Sequence, residues 1–360
     1  MGKYLINWSK ANKTEITDEL LAIIANARKS IKIGNFIFEY QPVINALKAA
    51  MDKDVAVFIL SNPLDDKNPK DDSRQKDEYK SHLSNLMQLA SLGAHVRYLN
   101  DLHAKFVICD DITGIVTSAN NNQNSLNHNS ETGVTIQGQD VAQLTKVYNQ
   151  LFLNADITKI SDSKIFRIKS RQRSKGFIID IQSLLASNIR ITLDSDKNTN
   201  LRGKDINLLY DKIVNIIDRS EKECFIVTWH FNCIEIKEGN SKEYNLLLKK
   251  FLTSLRQAKK RGVKITLYSN VYDTSSSQYT KNKPSLAHLA QIVDEIYSDD
   301  NNHSKCVITE SEGIVFSANI DPAGLETGFE VGVVLSEEER RDALEHIHNL
   351  ISANPNKIIL

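Results

Sequence analysis

The sequence contains no apolar run approaching the roughly 18–20 residues that a membrane span needs. Its first twenty residues, MGKYLINWSKANKTEITDEL, hold no signal-peptide core. Ile6 stands where N-myristoylation after Gly2 requires Ser or Thr. These absences set the expectation of a cytoplasmic protein with no membrane partner. Net charge is missing too. The 45 Lys and Arg are balanced by 45 Asp and Glu, which excludes a histone-like polycation and leaves only a local basic surface. Cysteine is scarce, and Cys109, Cys224, Cys233 and Cys306 show no C-x-x-C spacing. Reduced, mostly buried thiols are therefore expected. What remains is a composition of 41% apolar and 25% charged residues over 360 positions, that of a soluble globular chain long enough for two domains or one duplicated one.

The chain repeats itself after about 200 residues. The first half reads His103-Ala-Lys105-Phe-Val-Ile-Cys-Asp110, then TGIV, Thr117-Ser118-Ala119-Asn120 and Glu131-Thr-Gly-Val. The second reads His303-Ser-Lys305-Cys-Val-Ile-Thr-Glu310, then EGIV, Phe316-Ser317-Ala318-Asn319 and Glu330-Val-Gly-Val. Counted from the first histidine, the lysine, acid, asparagine and glutamate fall at offsets 2, 7, 17 and 28, and in the second half at 2, 7, 16 and 27. One residue is lost in a turn and the order survives.

The flanks repeat as well. Thr17 to Ser30 has helical apolar spacing and leads into the strand-like Ile31–Phe38, as Lys204 to Ser220 leads into Cys224–Phe231. Each half then alternates helices and strands, passes through the histidine, SAN and glutamate strands, and closes with a helix near 139–153 or 336–353. This is an α/β pattern with largely buried, mixed sheets. Two units in tandem pack most simply about a pseudo-two-fold axis. The expected organisation is a first repeat over 1–154, a connector over 155–203 and a second repeat over 204–360. Within the connector, Phe177–Ile181 and Ile189–Leu193 suggest an extra hairpin.

The repeated residues form a chemical set. Alternation along a strand points His103 and Lys105 the same way, and likewise His303 and Lys305. Each half offers one imidazole, one ammonium, one hydroxyl and one carboxamide, which is incomplete for acid–base work alone. Two halves facing across a dyad suit a phosphodiester. Lys105, Lys305, Ser118, Ser317, Asn120 and Asn319 would bind its oxygens and stabilise a five-coordinate transition state. One neutral imidazole would attack phosphorus while the other, protonated, gives its proton to the leaving oxygen. Glu131 and Glu330 would orient the rings. The lysines supply the positive charge, so neither metal nor cofactor is expected.

The H-x-K-x4-D motif followed by S-x-N resembles the signature of the phospholipase D superfamily, over both halves and so nearly the whole chain. The resemblance implies a duplicated α/β/α sandwich with both motifs at the central interface, and a metal-independent phosphodiesterase working through phosphohistidine. It implies that His103 is the nucleophile and His303 the general acid. It also implies that each glutamate serves the other half's histidine, Glu330 with His103 and Glu131 with His303. The motif acids Asp110 and Glu310 are implied to be buried structural acceptors. Two departures stand out. Glu310 replaces the family's Asp, and the usual Gly before Ser is Thr117 or Phe316, the latter adding bulk beside the phosphate loop.

The fold does not choose the phosphodiester. The connector carries six basic residues and no acid in Lys164, Arg167, Lys169, Arg171, Arg173 and Lys175, and a second cluster runs from Lys249-Lys250 through Arg256, Lys259-Lys260-Arg261 to Lys264. Such runs either track a nucleic-acid backbone or are solvated faces. The loop Asn121–Ser130 is polar and offers no aliphatic lining, with His128 as a rim residue. Trp229 and His230 sit on a strand, where Trp229 reads as core or as a base-stacking surface. His346 and His348, two apart on a helix, make a poor metal pair. The leading expectation is a nuclease on DNA or RNA. A lipid phosphodiesterase or phosphatidyl transferase is the second reading, and a non-catalytic nucleic-acid-binding module, supported mainly by Phe316, is the third. By analogy with cytosolic relatives, a protein partner would be a helicase or a defence-system component.

Overall fold

The computed structural model describes residues 2–62, 73–161, 164–168, 179–193, 205–236, 244–270, 277–353 and 357. Among these, the first half supplies β1 (Tyr4–Trp8), β2 (Lys13–Thr14), β3 (Ser30–Asn35), β4 (Ala56–Ser61), β5 (His95–Tyr98), β6 (Phe106–Cys109), β7 (Thr113–Thr117), β8 (Glu131–Gln137), β9 (Asp156–Ser161) and β10 (Lys164–Ile168). They form one sheet in the order β10-β9-β5-β4-β3-β6-β7-β8-β1-β2. The second half supplies β11 (Ile189–Leu193), β12 (Ile206–Asn207), β13 (Glu223–Thr228), a separate hairpin of β14 (Ile234–Ile236) and β15 (Tyr244–Leu246), then β16 (Lys264–Ser269), β17 (Glu295–Ser298), β18 (Cys306–Thr309), β19 (Gly313–Phe316) and β20 (Glu330–Val334). Its sheet runs β12-β11-β20-β19-β18-β13-β16-β17.

Eight strands of the two sheets correspond one to one and in the same order. In each, three strands pair in parallel (β3, β4, β5; β13, β16, β17) and the rest antiparallel. The chain is thus a duplicated α/β unit with mixed sheets, as the alternation of helix and strand predicts. The parallel strands β3 and β13 are buried on both faces because helices cover both. The helix Glu15–Asn26 presents Ile16, Leu20, Ile23 and Ile24 to its sheet, and Leu208–Arg219 presents Leu209, Ile213, Ile216 and Ile217. Both sets fall on one helical face.

Each half keeps an apolar cluster of its own. A third joins the two sheets, with Phe106, Leu144, Tyr148 and Leu151 from the first half and Tyr268, Phe329, Val331 and Ile347 from the second. The closing helices, Gly138–Asn154 and Glu337–Ala353, pack into this layer. Each fully buried side chain of this size contributes about 1.5–3 kcal/mol, so the halves are held as one body by burial.

The structure corrects several expectations. Ile189–Leu193 is no hairpin with 177–181. It pairs with β20 and β12, while Ile181–Leu185 is helical. It is the counterpart of β1, which pairs with β8, so the second sheet begins inside the segment read as connector. Lys164 and Arg167 lie on β10, at the sheet edge. Lys169, Arg171, Arg173 and Lys175 lie outside the described residues.

The second basic cluster is a solvated helix face. Lys250 pairs with Asp211 at 3.2 Å, Lys264 with Glu295 at 3.1 Å and Lys259 with Asp294. Lys264 aligns with Glu223 at the far end of β13 from Trp229. Six residues at about 3.3 Å each place it about 20 Å from the histidine end.

Phe316 adds no bulk beside a phosphate loop. Its ring is fully buried in the second-half core, and it lies opposite Gly332 on β20, where an added Cβ would meet Phe316 at 3.1 Å. Thr117 faces Gly133 in the same way. A glycine on the neighbouring strand stands opposite each of these larger side chains, which removes the main support for a non-catalytic module. The four cysteines are buried free thiols.

Candidate active site

The two histidines sit in extended segments leading into β6 and β18, and each is anchored by the other half. His103 and Ala104 donate their N–H groups to Phe329 O at 3.1 and 2.8 Å, and Phe329 N–H donates to Asp101 O at 3.0 Å. Reciprocally, His303 N–H donates to Ser130 O at 2.9 Å and Ser130 N–H to Asn301 O at 2.8 Å. Phe329 and Ser130 immediately precede Glu330 and Glu131, so the backbone exchange delivers each glutamate to the opposite histidine.

His103 Nδ1 lies 2.6 Å from Glu330 Oε1 and His303 Nδ1 lies 2.8 Å from Glu131 Oε1. The crossed pairing that the resemblance implies is therefore present. At His103 the hydrogen bond to Glu330 holds the proton on Nδ1 and leaves Nε2 free, whereas at His303 the Glu131 oxygen stands at ion-pair distance without hydrogen-bond geometry and Lys305 Nζ also approaches Nδ1. The second carboxylate oxygens accept from the Ser317 and Ser118 hydroxyls. Those hydroxyls in turn accept from Val331 N–H and Thr132 N–H, both at 3.0 Å. Each serine hydroxyl thus gives its proton to a glutamate and accepts from a backbone N–H, so Ser118 and Ser317, expected from the sequence to bind phosphate, clamp the glutamates.

The lysines are fully buried. Lys105 donates to His103 O, and Lys305 donates to His303 O at 2.7 Å and lies 3.2 Å from His303 Nδ1. Two ammonium groups and two carboxylates balance, which offsets the cost of burying any one of them alone. Burial pushes Lys105 down to about 7 against the pull of Glu330, and Lys305 down to about 8 against Glu131 and Glu330. Burial also lowers both histidines, His303 to about 4, with Glu131 opposing and Lys305 assisting. Glu131 lies below the usual carboxylate range, because His303, Lys305 and Ser118 outweigh the effect of burial. Both imidazoles are thus neutral at neutral pH. An arriving phosphodiester anion raises the proton affinity of the ring it meets.

Asn120 and Asn319 complete the set. Their Oδ1 atoms are buried and have no hydrogen-bond partner among the described residues. Two aromatic rings wall the histidines. Phe36 lies 5.4 Å from His103 edge to face, and Trp229 lies 5.5 Å from His303, centroid to centroid. Trp229 is half-buried, so its reading as core gives way to a wall of the site. Phe36 was not singled out by the sequence reading. Its signal was the aromatic residue that follows β3 and β13 alike.

Asp110 and Glu310 stand apart from this chemistry. Asp110 accepts the N–H groups of Lys29 at 2.7 Å and of Ser30 and Arg28 at 2.9 Å, and Glu310 those of Glu221 at 2.7 Å and Glu223 at 3.2 Å. They tie the helix-to-strand turns at the far ends of β3 and β13, and both are partly exposed rather than buried. The longer Glu310 keeps the acceptor role. Backbone donors hold both carboxyls below their usual range against the effect of burial.

The remaining candidates do not join the site. The polar loop folds into a short helix, Gln123–Asn127, capped by Asn122, and His128 is exposed beyond it. His346 is buried against Tyr4 OH at 2.9 Å while His348 packs on Phe225. Among the described residues no cluster of His, Cys, Asp or Glu has metal-site geometry. No helix among them is long and apolar enough to cross a membrane.

A family model described as a cardiolipin synthase, phospholipase D-like domain matches residues 20–154 and 213–351. Phosphatidylserine synthase of Haemophilus influenzae superposes over 99% of this chain and 87% of its own, with a TM-score of 0.63 and 13% identity. Polyphosphate kinase of Porphyromonas gingivalis matches 96% of this chain and 49% of its own at a TM-score of 0.53 and 12% identity. The phospholipase D family member Nuc of Salmonella typhimurium matches 47% of this chain over its full length, at a TM-score of 0.36 and 17% identity. No curated protein matches in sequence.

Proposed function

Because the chain belongs to the phospholipase D-like family of phosphodiesterases, we propose that it cleaves phosphodiesters without metal through a phosphohistidine on His103, and that its substrate is a nucleic acid. The observation that carries the mechanism is the reciprocal His103–Glu330 and His303–Glu131 pairing. It readies two imidazoles, each with Nε2 free.

In the first step His103 Nε2 gives its lone pair to phosphorus. The bond to the leaving oxygen breaks, and that oxygen takes a proton from His303. In the second step water attacks phosphorus, the N–P bond breaks, and His303 takes the water's proton. Lys105 and Lys305 supply charge to the non-bridging oxygens, and the Nδ2 groups of Asn120 and Asn319 donate hydrogen bonds to them. His103 has 26% of its side chain exposed against 10% for His303. The more accessible ring is the one that the resemblance makes the nucleophile.

The site's surroundings favour nucleic acid over lipid. The walls beside the histidines are the rings of Phe36 and Trp229, flat faces on which bases stack. Among the described residues the exposed large apolar side chains are Leu92, Ile112, Leu153 and Leu185. They are scattered along the chain, so no acyl-binding patch borders the site among the described residues. The lipid reading rests on the family description and on the extent of the phosphatidylserine synthase match. The deciding experiment incubates the protein with single- and double-stranded DNA, RNA and phosphatidyl lipid micelles in excess chelator, beside a His103→Ala control. Cleavage of nucleic acid, abolished in the control, supports the proposal. Head-group release alone replaces nucleic acid with lipid as substrate, and no turnover on any substrate defeats both.

A further inference from the structure

Away from the histidines, the first half keeps a second concavity of about 650 Å³, formed by β3, β4, β5 and the last turns of the helix Gly138–Asn154. Lys32, Phe58 and His95 align across the three strands and project from one face. Ile31, Val57 and Val96 point the other way, into the first-half core. Arg97, two residues beyond His95, joins the open face.

The lining is aromatic and cationic. Phe58 stacks on His95 with ring centroids 5.0 Å apart, and Tyr148 stacks on Phe152 at 5.6 Å. The two stacks meet edge to face where Phe58 lies 5.7 Å from Phe152. The Arg97 guanidinium sits over the Phe152 ring at 4.7 Å. Among the described residues it donates from Nη1 alone, to Phe152 O at 2.7 Å and Leu153 O at 3.1 Å. Burial lowers its proton affinity, and no carboxylate opposes this. Lys32 pairs with Asp111. The Tyr148 hydroxyl is buried with no hydrogen-bond partner among the described residues. Such a group is costly unless something meets it.

The fold does not call for this set. Gly34 lies opposite Phe106 and Val227 opposite Cys306. On that register Lys32, Phe58, His95 and Arg97 correspond to Phe225, Thr266, Glu295 and Tyr297. In the second half Glu295 is held by Lys264 at 3.1 Å and Lys357 at 3.0 Å, and His348 packs on Phe225 at 5.2 Å. Those positions find partners within the chain, whereas the first half leaves a guanidinium and a phenol wanting an acceptor.

We propose that this cavity binds a nucleotide, its base against the aromatic rings and its phosphate at Arg97. Flat rings stack on any base, and a guanidinium without a carboxylate suits phosphate. The volume is that of a small-ligand site. An acyl chain would cover the rings and leave Arg97 and the Tyr148 hydroxyl desolvated and unmet. Inorganic phosphate would meet Arg97 and leave most of the space unfilled. Lys32 precedes Phe36, which walls His103, by four residues, about 13 Å along a strand. The cavity is therefore separate from the reaction centre, and its occupant is either a free nucleotide or one unit of a polymer.

The test is calorimetric titration of the full chain with adenosine 5′-monophosphate, adenosine, inorganic phosphate and decathymidylate. The monophosphate should bind at one equivalent, and adenosine and phosphate each at least about ten-fold more weakly. Arg97→Gln should weaken binding by about ten-fold or more. Tyr148→Phe keeps the packing and so serves even if Arg97→Gln fails to fold. It should weaken binding several-fold while the unliganded protein melts no lower than wild type, because an unmet polar atom has been removed. His103→Ala should bind as wild type does. Decathymidylate that binds where the monophosphate does not, with the same losses in the two variants, assigns the nucleotide to a polymer. Binding of neither overturns the proposal. Binding that both variants leave intact, or that His103→Ala abolishes, also overturns it by placing the ligand elsewhere.

Discussion

His103 and Glu330 lie 227 positions apart in the chain, yet the histidine Nδ1 is 2.6 Å from the glutamate carboxylate. The reverse pair, His303 and Glu131, closes the same circuit from the other side. Neither half owns a complete histidine–carboxylate unit. The duplication is what makes the site, because each half carries the acid that the other half's base needs.

Removing the carboxylate's charge should therefore act across the dyad. Glu330→Gln should lower kcat by on the order of 10²–10⁴, the scale seen when a histidine loses the acid that sets its tautomer. Ser317→Ala, which removes only the clamp, should cost far less, about ten-fold. Steady-state kinetics on bis(p-nitrophenyl) phosphate decide, and equal losses would mean that the serine has a direct part in the chemistry.

The pH dependence follows from the buried charges. His103 must be neutral to attack, and burial lowers its proton affinity below the usual histidine value, so the acid limb of kcat/KM should lie below about 6.5. Lys105 and Lys305 must be charged to draw the phosphate. With values near 7 and 8, they lose that charge as pH rises through this window. His303 must carry the proton it donates, and in the free protein it is pushed down to about 4, so the kcat/KM profile should be a bell on the acid side of neutrality whose decline begins as His303 loses that proton and steepens between about 7 and 8 as the lysines lose theirs. A profile flat to pH 10 would mean ordinary, solvated lysines.

Phe316 should matter to stability and not to chemistry. It is fully buried against Gly332. Phe316→Ala should cost about 3–5 kcal/mol by leaving a cavity, measured by denaturant unfolding, while activity per folded molecule stays near wild type. A large loss of kcat in the folded variant would place the ring in the reaction after all.

The positive charge that a metal would bring is already supplied by two buried ammonium groups, so excess chelator should leave the rate within about two-fold, and Lys105→Met should cost about 10²–10³. Chelator-sensitive turnover restored by one divalent cation would refute this division of labour.

Much of this was readable in advance because it recurs. His-x-Lys, Ser-x-Asn and the glutamate stand twice in one order, and the strands carrying them follow from local apolar patterning. What recurrence could not show is of two kinds. One is non-local pairing. Tyr4–Trp8 is buried throughout and Ile189–Leu193 nearly so. Tyr4–Trp8 lacks the polar alternation of a half-solvated strand, Ile189–Leu193 has it and reads as a strand, and the strands that place both in their sheets, β8 and β20, lie more than a hundred residues away. The other is compensation and asymmetry. Phe316 reads as an obstruction until Gly332 is seen opposite it, and serines that look like phosphate ligands prove to be clamps once their hydroxyls are traced. Lys32 and Arg97 have no basic counterpart in the second half to call attention to them.

The most direct test of the account counts phosphoryl groups. Rapid alkaline quench during turnover, followed by intact-protein mass spectrometry, should show at most one phosphoryl adduct per chain. Mutation of either histidine should abolish turnover, because both rings serve a single phosphorus. Two adducts per chain, or a His303→Ala variant that turns over at half the wild-type rate, would mean two independent half-sites and would contradict it.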